Sequence, residues 1–234
     1  MIHLAVETST SVIDMALLEE DRLLCFVGVH KPGGASEILI HGLESLMTLS
    51  GLKADDIGLV SSSEGPGTYT SLRVGHLFCQ GFSFSLGIPH RTISPFWILA
   101  DQVHEALIRE TDFLVVVLDA RRGEVNARVL FSRDGGRSME PLADQDGIFS
   151  GRAVDPALVL DHLPPGSGVI TGPGVAHLQR ILPADSGQFS RIRFYSDLPR
   201  AETMGRIAWN REMSGPGISG SSGLLIYGRD SVIS

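Results

Sequence analysis

The chain has 234 residues, 43% hydrophobic and 20% charged, enough to bury a good core as one large or two small domains. Nineteen basic residues against 27 acidic ones leave a net charge of −8, which excludes a chain that grips RNA or DNA unaided, because phosphate neutralisation supplies most of that affinity. The two cysteines, Cys25 and Cys79, are too few and too far apart for a disulfide framework or a zinc site, and read as buried free thiols in a reducing compartment. The N-terminus enters a strand without a basic and apolar leader, and no stretch reaches the roughly 18 apolar residues of a membrane span, so a cytoplasmic protein with no membrane partner is expected.

In chain order, residues 2–8 are a β-rich run, followed by a polar turn, a second strand VIDMALLEE and a third, RLLCFVGVH. The segment 31–34, Lys-Pro-Gly-Gly, breaks the pattern. A helix is predicted from Ser36, as N-cap, to just before Gly51, with an apolar stripe of Ile38, Leu39, Leu43, Leu46, Met47 and Leu49. Residues 57–61 form a short strand, 70–86 a long helix, 89–94 a strand and 96–109 a helix. The second half opens on the continuously apolar strand 113–120, expected to be buried on both faces. It continues with a strand over 124–131, a weaker one near 147–149, a helix over 156–162, a strand over 168–171, a helix over 175–182, a strand over 192–195 and a helix over 201–213. Both halves thus repeat a three-strand meander followed by alternating helices and strands. This order predicts a duplicated α/β fold with mixed sheets flanked by helices, shared by the actin, hexokinase and sugar-kinase superfamily. The expected domains are 1–110 and 111–213, with a Gly/Ser-rich tail over 214–234 whose short apolar run Leu224–Tyr227 docks back on the body.

Catalytic members of that superfamily need a glycine-bearing hairpin between the first two strands, so that backbone N–H groups reach phosphate. Here that hairpin, Glu7 to Val12, has hydroxyls but no glycine. There is no GxxxxGK[ST], no GxGxxG after a strand and no GxSxG. No two of the eight histidines stand four apart, so neither HExxH nor HxxxH occurs. Glu7 and Glu64 lie at strand ends as a candidate carboxylate pair. Three Gly-Pro-Gly turns occur, at 65–67, 172–174 and 215–217, the first two between a strand and a helix. Arg121 and Arg122 are a small basic spot that reads as solvated. The helix after the first Gly-Pro-Gly carries Ser71, Gly75, Cys79, Ser83 and Gly87, a small residue at every fourth position. Glycine inside a helix costs about 1 kcal/mol against alanine, which implies a close backbone neighbour. That neighbour is either the protein's own sheet or a helix of a partner subunit.

Taken together, the residues resemble the bacterial TsaB family, also called YeaZ. The carriers are Glu7-Thr8-Ser9, Ala35 to Leu39, the signature Gly65-Pro66-Gly67-Thr68-Tyr69-Thr70-Ser71-Leu72-Arg73-Val74-Gly75, Ile88-Pro89, Asp119-Ala120-Arg121-Arg122 with Val125-Asn126, and the closing Leu225 to Arg229. The resemblance is strong over 1–131. It departs from the family at Glu7, Ala35, Ser71, Asn126 and before Tyr227. It implies a non-catalytic paralogue of the TsaD subunit, which itself carries the metal and performs tRNA threonylcarbamoylation. The expected partners are a TsaD-like catalytic subunit and a TsaE-like ATPase, with TsaC supplying the carbamoyl-adenylate and tRNA met only through the complex. The isolated chain is either a monomer or a homodimer. No metal and no cofactor are expected in the lone chain, with nucleotide restricted to the shared interface. The two helices after the meander are expected to form that interface, at Ser36, Leu39, Leu43, Ser71, Leu72, Gly75, Cys79 and Ser83. Gly65, Pro66, Gly67, Thr70 and Arg73 form the signature turn. The competing functions are a stand-alone phosphotransferase or ATPase of the sugar-kinase superfamily and a glycoprotease-type metallopeptidase.

Overall fold

The computed structural model describes residues 1–30, 34–103, 105–133, 138–141, 147–182 and 187–213. The third Gly-Pro-Gly, the tail and the closing Tyr227 and Arg229 lie outside the described residues.

The chain divides into two compact units, one built on Met1–Ile98 and the other on Leu99–Leu198, with the stretch from Pro199 returning to the first. The meander of the first unit is β1 (Ile2–Glu7), β2 (Val12–Glu19) and β3 (Arg22–His30), followed by α1 (Ala35–Ser50), β4 (Ile57–Ser63), α2 (Tyr69–Leu86) and β5 (His90–Ile93). The sheet order is β3-β2-β1-β4-β5, with the meander antiparallel and β4 and β5 parallel to their neighbours. Alternation along β1 explains the layering. Leu4 and Val6 join Ile13, Met15 and Leu17 of β2 beneath α1 and α2, and the intervening Ala5 joins Ala16 and Leu18 on the opposite face.

The second unit contains α4 (Glu105–Arg109), β6 (Phe113–Arg121), β7 (Glu124–Arg133), β8 (Ser138–Pro141), β9 (Ala153–Val154), α5 (Pro156–Asp161), β10 (Gly168–Thr171), α6 (Val175–Ile181) and β11 (Ile192–Tyr195). Its sheet runs β11-β10-β6-β7-β8, with β9 paired to β7. This repeats the order of the first unit. β6 is buried from Phe113 to Leu118, as its unbroken apolar run requires.

Four expectations are corrected. The helix expected over 96–109 is two, α3 (Pro95–Gln102) and α4, and the unit boundary falls inside α3. The strand expected near 147–149 is a turn: Gly147 takes φ 75°, and Ile148 and Phe149 are buried as core plugs rather than sheet members. Ser36 is not an N-cap; Gly34 occupies that position in the left-handed region with no side-chain cap. The last helix, α7 (Ala201–Met213), belongs with the first unit and not with the strands that precede it.

α7 packs on β1 and β2 through Ala201, Met204 and Ala208. Gly205 lies so close to β2 that a Cβ there would press on Leu18. The Asp14 carboxylate accepts the Ala201 N–H at 3.0 Å at one end of the helix, and Glu212 pairs with Arg91 at 2.7 Å at the other.

The row of small residues on α2 resolves mostly inward. Leu72 and Cys79 are fully buried, and a Cβ on Gly75 would drive into the hydroxyl and methyl of Thr8. Gly75→Trp is therefore expected to cost the lone chain at least the 1–3 kcal/mol typical of overpacking, visible as a clear fall in melting temperature. A variant that melts with wild type would contradict this packing.

Candidate functional site

The signature turn is anchored on the first hairpin. β4 runs into Glu64, and Gly65 adopts φ 93° ahead of a cis peptide to Pro66. A Cβ on Gly67 would collide with the Ser9 carbonyl, so only glycine lets the turn come this close. The approach permits the Thr68 N–H to donate to that carbonyl at 2.7 Å, just ahead of the first residue of α2. Thr8 then fills the space beside Gly75.

Glu7 sits fully buried behind this contact. Its carboxylate accepts the Ser9 N–H at 2.6 Å and the Ser63 hydroxyl. Burial pushes its pKa up to about 7 from an ordinary 4.5, the Ser63 and Ser9 bonds oppose the rise, and the nearby Asp14 charge adds to it. Glu64 accepts from the Thr92 hydroxyl at 3.4 Å across the sheet. On the α2 side, the His90 ring shares a hydrogen bond with Ser62 at 2.9 Å and its centroid stands 5.1 Å from that of His76. Burial lowers the pKa of both rings, that of His90 to about 4 with help from the charges of His76 and Arg91.

Two of the hairpin's backbone donors are engaged within the hairpin, while the buried Thr8 and Ser9 hydroxyls have no hydrogen-bond partner among the described residues. The Ser9 N–H goes to Glu7, and the Val12 N–H goes to the Thr10 hydroxyl at 3.2 Å. Gly67 and Thr68 pack directly against Ser9. Among the described residues no group of three His, Cys, Asp or Glu is placed to hold a metal ion.

Of the residues expected at a partner interface, Leu39, Leu72, Gly75 and Cys79 are corrected: each is buried in its own unit and has no surface to offer. The Ser83 hydroxyl turns inward to the Ile88 carbonyl at 2.5 Å. Leu43 and Ser71 are half-buried, and Ser36 is exposed. In the signature turn Gly65 and Pro66 are buried, Gly67 is half-buried, and Thr70 and Arg73 are exposed.

The outward faces of α1 and α2 carry other residues instead. Leu77 is 58% exposed, Phe84 89% and Ile40 of α1 53%, and the two helices lie side by side over one sheet face. Positions 73, 77, 80 and 84 share one side of α2. Gly81, at its margin, has open space around it. The sequence signal for this face was the seven-residue interval from Leu77 to Phe84, off the buried stripe.

A family model described as TsaD, tRNA N6-adenosine threonylcarbamoyltransferase, matches residues 34–152, just over half of the chain. Relatives with the name tRNA threonylcarbamoyladenosine biosynthesis protein TsaB include that of Bacillus subtilis, 30% identical over 64% of this chain and 63% of the relative. That of Escherichia coli is 24% identical over 66% and 61%. The chain belongs to this family, in its TsaB/YeaZ branch. The YeaZ structure from Pseudomonas aeruginosa superposes with a TM-score of 0.75 at 22% identity, covering 97% of this chain and 99% of that one. The fold is thus that of YeaZ, and its two units carry the duplicated α/β order that the sequence of elements predicted. The sequence matches to these curated TsaB proteins cover less than two thirds of their length. No helix among the described residues is long and apolar enough to cross a membrane.

The buried Glu7 gives a test of the site's electrostatics. Its folded pKa lies above its unfolded one, so the fold takes up a proton. The stability of wild type relative to Glu7→Gln should fall as pH rises from about 4.5 to about 7 and stay level above, by about 3 kcal/mol in all. Melting temperatures of both proteins across that range check it; a constant difference would show that the carboxyl titrates normally.

Proposed function

We propose that this chain is a non-catalytic scaffold and activator subunit in tRNA threonylcarbamoyladenosine biosynthesis. It binds a TsaD-like catalytic subunit and supports threonylcarbamoylation of adenosine next to the tRNA anticodon. The observation that carries this reading is the apolar outward face of α1 and α2. Large apolar side chains as exposed as Leu77, Phe84 and Ile40 on two adjacent helices suit a surface that a partner covers. Two adjacent helices with outward apolar side chains at Ile40, Leu77 and Phe84, the last two seven residues apart on one side of α2, are suited to packing against a helix pair. Leu43, Ser36 and Ser71 border this face and remain part of the proposed interface.

Two further features support a role without chemistry of its own. The hairpin equivalent to a phosphate loop is filled by Gly67, Thr68 and Gly75, and two of its backbone donors are already engaged. The charge of −8 suits a subunit that meets tRNA only through a complex that also takes in a TsaE-like ATPase. The lone chain is accordingly expected to bind ATP weakly, any nucleotide lying at the shared interface. The phosphotransferase alternative would need that hairpin open.

Leu77→Asp and Phe84→Asp should each weaken binding to the TsaD-like subunit of the same organism by about 100-fold or more, with the melting temperature of the lone chain unchanged. Calorimetric titration reads the affinity. Wild-type binding by both variants would remove the α1–α2 face from the interface.

A further inference from the structure

Arg73 carries a charge that no carboxylate among the described residues pairs with. Arg73 stands one turn before Leu77 on the exposed side of α2. Its guanidinium lies over the Tyr69 ring, 5.2 Å from the centroid, and Nη1 donates to the Tyr69 hydroxyl at 2.7 Å. Stack and bond hold a long side chain in one pose, so less freedom is lost when it meets a ligand. Among the described residues no carboxylate pairs with it, and α2 has no acidic residue in its first turn. Close to the positive end of the helix dipole, the cation gains nothing from its own helix. An apolar strip alone also specifies register poorly, since Leu77 and Phe84 would accept a facing helix displaced by a turn. A single charge pair removes that ambiguity.

We propose that Arg73 is a pre-set arm that receives a carboxylate from the partner helix covering Leu77 and Phe84, and that this pair fixes the orientation and register of docking. The inference rests on the α1–α2 reading given under Proposed function. The planar fork of arginine suits a carboxylate bidentately, whereas lysine offers only a point charge.

The test titrates the full chain into the TsaD-like subunit of the same organism at low and near-physiological salt. Arg73→Met keeps the length of the stem and removes the charge. It should bind about 10- to 100-fold more weakly and lose most of the salt dependence, and Arg73→Lys should recover only part of the affinity. Leu77→Asp is measured in parallel. If Leu77→Asp loses binding while Arg73→Met matches wild type in affinity and salt dependence, the face stands and the role of Arg73 falls. If Leu77→Asp binds normally, both fall. The titrations are repeated with ATP present; a defect in Arg73→Met that exists only with ATP would mean that the arm serves a phosphate, which also overturns the proposal.

Discussion

The rest of the first unit depends on the contact between the Ser9 carbonyl and the Thr68 N–H. It ties the tip of the first hairpin to the start of α2, and the absence of a Cβ at Gly67 and Gly75 is what makes it sterically allowed. Once α2 is fixed at that end, its rotation about its own axis is no longer free. Leu72, Gly75 and Cys79 must face the sheet, and Arg73, Leu77 and Phe84 must face outward. The glycines and the exposed apolar face are therefore two consequences of one constraint. The polar interior behind the hairpin belongs to the same construction. Glu7 gains hydrogen bonds to Ser9 and Ser63 but bears the desolvation of a fully buried carboxyl, which is why its proton is held to near-neutral pH.

Much of this was legible in the sequence. The strands announce themselves as β-branched and apolar runs between turn residues, and the repeated order of elements gave the duplicated fold. Where reading failed, the reasons are physical. The third strand of the second sheet is Ser-Met-Glu-Pro, too short and polar to stand out, while the more apolar 147–149 fills the core. The destination of α7 is a tertiary fact, decided by Gly205 against Leu18, the Ala201 N–H bond to Asp14 and the pairing of Glu212 with Arg91. The small-residue row on α2 has the same appearance whether a sheet or a partner faces it, and Thr8 settles Gly75 for the sheet. Ile40, Leu77 and Phe84 were visible as apolar residues, but a stripe that covers most of a helix hides which part is left over once the sheet has been satisfied.

The two hairpins at equivalent places in the duplicated fold are built in opposite ways. In the first unit the tip is drawn in against Gly67, Thr68 and Gly75. In the second, Arg121, Arg122 and Gly123 take three successive left-handed conformations, with the Arg121 N–H held by the Asp119 carboxylate at 2.7 Å and that carboxylate 3.4 Å from His177 of α6. The equivalent loop is a packed joint in one unit and an exposed turn in the other.

The return of α7 to the first sheet bears on how the protein is made. The N-terminal unit emerges from the ribosome first but lacks one of its layers until Ala201–Met213 has been synthesised, about 100 residues after Ile98. Until then Ala5, Ala16, Leu18 and Ile93 form an uncovered apolar sheet face. At elongation rates of about 5–20 residues per second that interval lasts seconds, long compared with the collapse of a small chain. The nascent chain thus presents a sticky surface for a defined period, ended by the helix that the Asp14 carboxylate and Arg91 are waiting to receive.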